Sequence, residues 1–231
     1  MDWSTLKPIE LSKVKTVQFP QDQYFPDIYE KRQIVLHHTI GASAESDIQS
    51  WEDDPAVVAV CIIIDRAGTP WQLFSSKCWA YHLGAGNHDL DKHSIGIEID
   101  NWGWLVPGDG TVKQFGEKSV QTITGKYYSY YGYPVTCPMT YYPNGFRGYN
   151  YYETYYDAQL QTLGELLLYW KERYTTIPMT YNESMWDVSQ EALSGTPGIW
   201  THVSYLPAPI KYDCHPQSEL ISLLQTLNSI S

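Results

Sequence analysis

Short, continuous apolar runs in the first half of this chain predict strands that are buried on both faces. Three such runs, rich in Val, Ile and Leu, lie at residues 33–39, 57–64 and 94–100. The first run turns abruptly polar at its end, which is typical of a buried strand that ends at a functional site. A turn at residues 65–69 joins the second run to a return strand at 70–74, so these two segments predict a hairpin.

Amphipathic periodicity predicts the helices. Apolar residues recur at three- and four-residue spacing over residues 156–174 and again over 216–227. Weaker patterns with capping residues predict short helices at 43–51 and 182–193. Residues 198–202 predict one more short strand, which ends on a histidine. Strands mixed with flanking helices predict a single-domain α/β fold with a central mixed β-sheet.

Two segments lack clear periodicity. Residues 1–30 contain three prolines and predict an extended N-terminal leader that wraps around the domain formed by residues 31–231. Residues 101–153, approximately, are rich in Gly, Pro and Tyr and predict an irregular insertion with a short hairpin. The tyrosines either pack this loop internally, which we favour, or form a wall that contacts a sugar or a peptide, since tyrosine offers flat area and a hydroxyl.

Composition and charge narrow the class of protein. Of the 231 residues, 43% are hydrophobic and 18% are charged, which excludes intrinsic disorder. The formal net charge of −11 argues against a nucleic-acid partner, because phosphate binding needs a basic face. No apolar run approaches the roughly 20 residues of a membrane span. The N-terminus lacks a signal-peptide pattern and the four cysteines are widely spaced, so we expect a protein made in a cytoplasm.

The candidate functional residues are two histidines and one loop that contains a carboxylate and a thiol. His37 lies at the end of the first buried strand, His202 ends the last strand, and residues 211–215 contain Asp213 and Cys214. Two imidazoles and one carboxylate or thiolate complete a three-ligand zinc site whose fourth position is open to water, which is the arrangement of a catalytic zinc. The sequence contains seven histidines, so spacing alone does not single out this site.

Five segments resemble, in the same order, the characteristic segments of zinc-dependent N-acetylmuramoyl-L-alanine amidases. The segments are IVLHHT (34–39), IIDRAGT (63–69), WAYHLG (79–84), SIGIE (94–98), and THVSYLP followed by KYD (201–213). Phage endolysins, bacterial recycling amidases and peptidoglycan recognition proteins share this family. The predicted insertion falls between the fourth and fifth segments.

The resemblance implies that His37, His202 and Asp213 bind Zn²⁺. Some branches of the family have a cysteine as the third ligand, so Cys214 is the alternative to Asp213. Successive strand residues point to opposite faces, and we therefore expect His38 to lie in the core or behind the ligands.

The same resemblance implies roles for three further residues. Glu98, on the neighbouring strand, is expected to take a proton from the attacking water and to pass it to the leaving amine. Lys211 is expected to stabilise the oxyanion, and His82 to contact the substrate. The remaining histidines are expected at the surface or in caps, namely His88, His93 and His215.

The implied activity is zinc-dependent hydrolysis of the amide bond between N-acetylmuramic acid and L-alanine in peptidoglycan. We expect a monomeric, antimicrobial enzyme of a bacteriophage, an endolysin made in the host cytoplasm that reaches the cell wall through a holin or as part of the virion. The expected partner is peptidoglycan, with neither nucleic acid nor membrane. Two alternatives stay open: a cytoplasmic amidase that recycles muropeptides, and a non-catalytic peptidoglycan-binding module of the same fold.

Overall fold

A six-stranded mixed sheet organises the computed structural model, which describes residues 2–229. Its strands are β1 (Lys15–Thr16), β2 (Gln33–His38), β3 (Ile62–Ile64), β4 (Pro70–Gln72), β5 (Ser94–Ile99) and β13 (Gly198–Thr201). They lie in the order β1-β4-β3-β5-β2-β13. β2 runs parallel to β5 and β13, β3 is parallel to β5, and the β3–β4 hairpin is antiparallel. The predicted α/β fold with a mixed central sheet is confirmed.

The two central strands are buried along almost their whole length, as their apolar sequences predict. All six residues of β2 are buried, and β5 is buried except at Glu98. The register pairs His37 with Glu98, so both side chains lie on one face near the carboxyl edge of the sheet. The strand predicted at 57–64 is shorter, because Val57 adopts a left-handed φ of 54° and pairing with β5 starts only at β3.

Helices cover the sheet. The described residues form α1 (Ala44–Glu52), α2 (His88–Lys92), α3 (Asp157–Lys171), α4 (Gln190–Leu193) and α5 (Ser218–Ser229). Gln159 fixes α3 to the sheet, because its amide donates to the carbonyls of Ile64 and Asp100 at 3.3 and 2.8 Å. None of the helices within residues 2–229 is long and apolar enough to cross a membrane.

The helix predicted at 182–193 is interrupted. A 3₁₀ turn at Glu183–Trp186 is followed by an extended Asp187, and Ser189 then caps α4. Asp187 is drawn out of helical geometry where it pairs with Arg147 at 2.9 Å. The short helix α2 was not predicted, since a single turn capped by Asn87 carries too little periodicity to detect.

The N-terminal leader is packed into the domain. Its strand β1 pairs with β4 at the edge of the sheet, and Trp3, Leu6 and Ile9 are buried. Gly164 permits this close approach: a Cβ at that position would lie 2.7 Å from Leu6. The leader therefore supplies both an edge strand and part of the core.

The Tyr-rich insertion contains more regular structure than the sequence predicted. Its strands are β6 (Trp104–Pro107), β7 (Val112–Phe115), β8 (Lys118–Gln121), β9 (Tyr127–Tyr128), β10 (Pro134–Val135), β11 (Met139–Phe146) and β12 (Tyr149–Glu153). Five of them form an antiparallel sheet in the order β10-β9-β6-β12-β11, and β7 pairs with β8 as a hairpin. The density of Gly and Pro hides these strands, whereas tyrosine itself favours them.

Candidate metal centre and active site

Three side chains that could bind a metal meet at the carboxyl edge of the central sheet. His37 is the penultimate residue of β2, and His202 directly follows the adjacent parallel strand β13. Strands that run in parallel end at the same edge, so the two imidazoles are neighbours. Asp213 reaches them from a loop that is tied back to the His202 turn, because the Asp213 carbonyl accepts a hydrogen bond from the Val203 amide at 2.8 Å.

The ligand atoms of this group converge on one point. Nδ1 of His37 and Nδ1 of His202 are 2.8 Å apart, and Oδ2 of Asp213 is 2.9 Å from His202 and 3.3 Å from His37. All three residues are buried. Atoms bound to one tetrahedral zinc at about 2.0–2.1 Å are separated by about 3.3 Å, so the spacing fits such an ion.

The protonation pattern of the two imidazoles favours a cation between them. Nε2 of His202 donates to the Leu83 carbonyl at 2.8 Å, so Nδ1 of neutral His202 has a free lone pair. The Ser94 hydroxyl donates to the Asp91 carbonyl at 3.3 Å, so it accepts from Nε2 of His82 at 2.8 Å, and Nδ1 of His82 then accepts from Nε2 of His37 at 3.0 Å. His37 therefore also presents a lone pair at Nδ1. Two such nitrogens and a carboxylate repel one another unless a cation lies between them.

Burial and neighbouring groups shift the pKa values of His37 and Asp213 towards the forms that metal ligands need. Burial, with the neighbouring His202, lowers the pKa of His37 to about 3, which keeps its ring neutral. Burial opposes ionisation of Asp213, but His202 and His37 outweigh it and hold the pKa of that carboxyl well below its usual range. Two neutral imidazoles and one carboxylate are the forms that bind Zn²⁺. The residues present thus fit the ion that the sequence predicted.

Residues 82–83 support both imidazoles from behind. The His82 ring orients His37, and the Leu83 carbonyl orients His202. The Asp91 carboxylate accepts hydrogen bonds from the backbone amides of His82 and Leu83, both at 3.0 Å. Both ring nitrogens of His82 are engaged, with His37 and with the Ser94 hydroxyl, and His82 also lines the cavity in front of the three residues. Its predicted contact with substrate stays a prediction.

Sequence reasoning missed Asp91 and the Ser94 hydroxyl as parts of this arrangement. Asp91 lies nine residues beyond the amide of His82 to which it bonds. Nothing in local spacing signals such a contact, since it forms only when α2 folds back over the segment. The resemblance of residues 79–84 to an amidase motif was the available clue to its importance.

Glu98 lies beside the ligands on β5. Its Oε2 is buried and has no hydrogen-bond partner among residues 2–229. Burial raises the pKa of Glu98 well above its usual range, Asp213 and Asp47 add to the rise, and Lys211 opposes it. An unpartnered carboxylate oxygen in such a place is costly for folding, and this favours a role in binding or in proton transfer.

A cavity of about 200 Å³ opens in front of these groups. It is lined by the three ligand residues together with Glu98 and Lys211, and Trp51 of α1 closes one side. The cavity therefore brings together the residues predicted as ligands, base and oxyanion-stabilising cation. Its size leaves room for a peptide bond and its immediate neighbours.

Cys214 is directed away from this cavity. Its thiol is fully buried and hydrogen-bonds to Tyr155, and burial raises its pKa well above the usual range. Of the two alternatives for the third ligand, the structure therefore brings Asp213, and not Cys214, to the imidazoles. His38 also points away, and its Nδ1 is 2.9 Å from the Tyr155 hydroxyl.

The expectation that His215 is a surface or capping residue was wrong. Its side chain is completely buried and stacks on Tyr155 with ring centroids 4.3 Å apart. Its ring nitrogens bond to the Tyr142 hydroxyl at 2.8 Å and to the Glu153 carbonyl at 3.0 Å. These partners come from the insertion, so His215 anchors the loop of Asp213 to a segment that the sequence left without structure.

Comparisons with known proteins indicate the same family as the resemblance of the five segments. A family model described as N-acetylmuramoyl-L-alanine amidase (Amidase_2) matches residues 29–213. No protein with a curated description matches the sequence. Among solved structures, the PlyG catalytic domain is similar with a TM-score of 0.51 and 15% identity, over 94% of this chain and 93% of that one. AmpD (TM-score 0.48, 16% identity) aligns over 94% of this chain and 98% of its own. LysC, an N-acetylmuramoyl-L-alanine amidase from Clostridium intestinale, aligns over the same shares (TM-score 0.47, 11% identity). The similarity to PlyG shows a shared fold.

Proposed function

Because the chain belongs to the N-acetylmuramoyl-L-alanine amidase family, we propose that it is a zinc hydrolase that cuts the amide bond between N-acetylmuramic acid and L-alanine in peptidoglycan. The observation that carries this proposal is the convergence of three metal-binding atoms, 2.8 to 3.3 Å apart, next to an unpartnered carboxylate. A metal site that has three protein ligands and faces a cavity is of the catalytic type.

His37, His202 and Asp213 would hold the ion. When bound, it supplies Lewis-acid chemistry, because it polarises the scissile carbonyl and makes a water molecule more acidic. The three ligands are held by His82, by the Leu83 carbonyl and by the loop that contains Asp213. Such supporting contacts fix the ring orientations and the tautomers of ligating histidines.

Proton transfer falls to Glu98. The residue lines the cavity next to His37, where its carboxylate can accept a proton from the attacking water and return it to the leaving amine of L-alanine. The raised pKa that burial gives Glu98 suits this exchange, since a carboxyl that titrates nearer to neutrality both takes and releases a proton readily.

Lys211 supplies positive charge in the same cavity. It lines the same space as Glu98 and the ligands, and its charge is felt at Glu98 and at His37. A cation at this place can stabilise the oxygen that becomes negative when the carbonyl is attacked.

We favour a lytic enzyme over the alternatives of a recycling amidase and a binding-only module. A module without catalysis has no need for three convergent ligand atoms together with a Glu98 whose Oε2 is buried without a hydrogen-bond partner among residues 2–229. A recycling enzyme acts on small fragments, whereas the insertion sheet extends the protein surface beside the cavity. Intact sacculi compared with isolated muropeptides as substrates distinguish the two enzymes: faster release from sacculi is expected for the lytic enzyme.

The proposal is tested by mass spectrometry of purified peptidoglycan after digestion. We expect stem peptides with a free N-terminal L-alanine, together with intact glycan chains, and we expect a chelator to abolish their release. Cleavage within the stem peptide or within the glycan, or cleavage that a chelator does not affect, would overturn the proposal.

A further inference from the structure

A row of aromatic rings runs outward from the metal-binding loop. We call it the aromatic row, and its members in order are Tyr212, Trp104, Tyr130, Tyr131 and Tyr133. Successive ring centroids are 4.2, 5.4, 5.1 and 6.5 Å apart. Tyr212 lies between Lys211 and Asp213 in the sequence, so the row begins at the edge of the proposed active site.

The outer part of the row faces solvent. Tyr130, Tyr131 and Tyr133 are 45%, 47% and 53% exposed. Trp104 is buried beneath them and is held by a stacked contact with Tyr149, with centroids 5.1 Å apart. Three adjacent exposed rings on a fixed support form an apolar patch that a protein rarely leaves in water without use.

The patch is formed by the insertion and is not needed to build the metal site. Trp104 belongs to β6, and the three tyrosines follow β9 in the loop towards β10. None of these four residues contributes a ligand atom, and none is among the side chains that line the 200 Å³ cavity. The row therefore extends the proposed active site with a surface of different chemistry.

The chemistry of the row suits a sugar chain. Aromatic faces pack against the apolar C–H faces of sugar rings, and phenolic hydroxyls can bond to sugar hydroxyl and acetamide groups. The row itself carries no formal charge, and Lys118, whose Nζ is 4.9 Å from the Tyr133 ring, lies at its far end.

We propose that the aromatic row binds the glycan strand of peptidoglycan and leads it to the active site. This inference rests on the proposed function, because the amide to be cut joins the glycan directly to the stem peptide. A glycan must therefore leave the cavity at one of its sides, and the row begins at the side formed by the loop of Lys211 and Asp213.

The test uses glycan chains from which stem peptides have been removed, titrated into the protein and followed by calorimetry. The double substitution Tyr130→Ala and Tyr131→Ala removes two exposed rings, and we expect it to weaken glycan binding by about tenfold or more. The matched control is Tyr141→Ala, which removes a 56% exposed tyrosine of β11 outside the row, and it should bind the glycan as the wild type does.

Further variants and probes separate the outcomes. Tyr131→Phe keeps the ring and should retain most of the affinity, while equal thermal midpoints for all variants exclude misfolding as the cause of a loss. Unchanged glycan binding by the double variant would overturn the proposal. So would a loss that is seen with free stem peptides instead of glycan, or a wild-type dimer that the double substitution separates into monomers.

The two proposals can fail separately, because glycan binding is measured on a product that the enzyme does not cut. If the wild type releases stem peptides from sacculi but the double variant binds glycan normally, the row proposal fails and the amidase proposal stands. If binding depends on the row but the wild type releases no stem peptides, the row is a glycan site and the amidase proposal fails.

Discussion

The central sheet and the insertion sheet of this protein differ in how far their side chains are buried. In the central sheet all of β2 is buried, and the residues at its carboxyl edge have fixed partners on several sides. In the insertion sheet, β11 alternates between exposed and partly buried positions, and several tyrosines face solvent. The first arrangement brings three candidate ligand atoms to 2.8–3.3 Å from one another, and the second exposes aromatic rings to solvent.

A consequence of this difference is that the same residue type has opposite roles in the two settings. Tyr152 of β12 is completely buried, donates to the Phe146 carbonyl at 2.8 Å and packs on His215. Tyr141 of β11, one strand away, is 56% exposed. The face of the insertion that turns inward therefore braces the loop of Asp213, while the outward face is in contact with solvent.

The largest effect is expected at the central sheet. Glu98→Gln keeps the size of the side chain but cannot accept a proton, so we expect the rate of amide hydrolysis to fall by about 10²- to 10⁴-fold. Bound zinc should stay unchanged, because Glu98 is not among the ligand atoms. Hydrolysis by the purified variant at the wild-type rate would remove Glu98 as the base.

Within the insertion, the two tyrosines should respond very differently. Tyr152→Ala opens a cavity and leaves polar partners unsatisfied, and we expect it to reduce the free energy of unfolding by about 3–5 kcal/mol. Tyr141→Ala should change it by less than about 0.5 kcal/mol. Urea denaturation of both variants measures the contrast, and similar losses would contradict the assignment of inner and outer faces.

A smaller effect, on zinc affinity, is expected from Asp91, which supports residues 82–83 behind the candidate ligands. Asp91→Ala removes the Oδ1 atom that accepts from the backbone amides of His82 and Leu83, so residues 82–83 should lose their fixed position. We expect zinc affinity to fall by about 10- to 100-fold, measured by competition with a chromogenic chelator. Asp89→Ala, an exposed neighbour on the same helix, is the matched control and should bind zinc normally.

The smallest effect expected is on the pH profile. Glu98 must be ionised to accept a proton, and burial raises its pKa above the usual value of about 4.3. Activity should therefore fall as the pH drops through this raised pKa, so the acid limb lies at a higher pH than for an exposed glutamate. The residual activity of Glu98→Gln should lack this limb, and an unchanged limb would assign it to another group.

Much of the central sheet could be predicted from the sequence, because the pattern that indicates each strand lies within the residues of that strand. The apolar runs that became β2 and β5 need only their own residues to indicate burial, and resemblance to known segments placed His37 and His202 at the same site. The insertion could not be predicted in the same way, since its strands are short and interrupted by Gly and Pro. His215 was misplaced because its partners, Tyr142 and the Glu153 carbonyl, are distant in sequence.

The central claim is that His37, His202 and Asp213 together hold one metal ion, and metal analysis of three purified proteins tests it most directly. We predict one zinc per chain in the wild type and in Cys214→Ser, and a loss of most of the zinc in Asp213→Asn. A wild-type protein that binds no zinc after reconstitution, or Asp213→Asn that keeps it while Cys214→Ser loses it, would contradict the account.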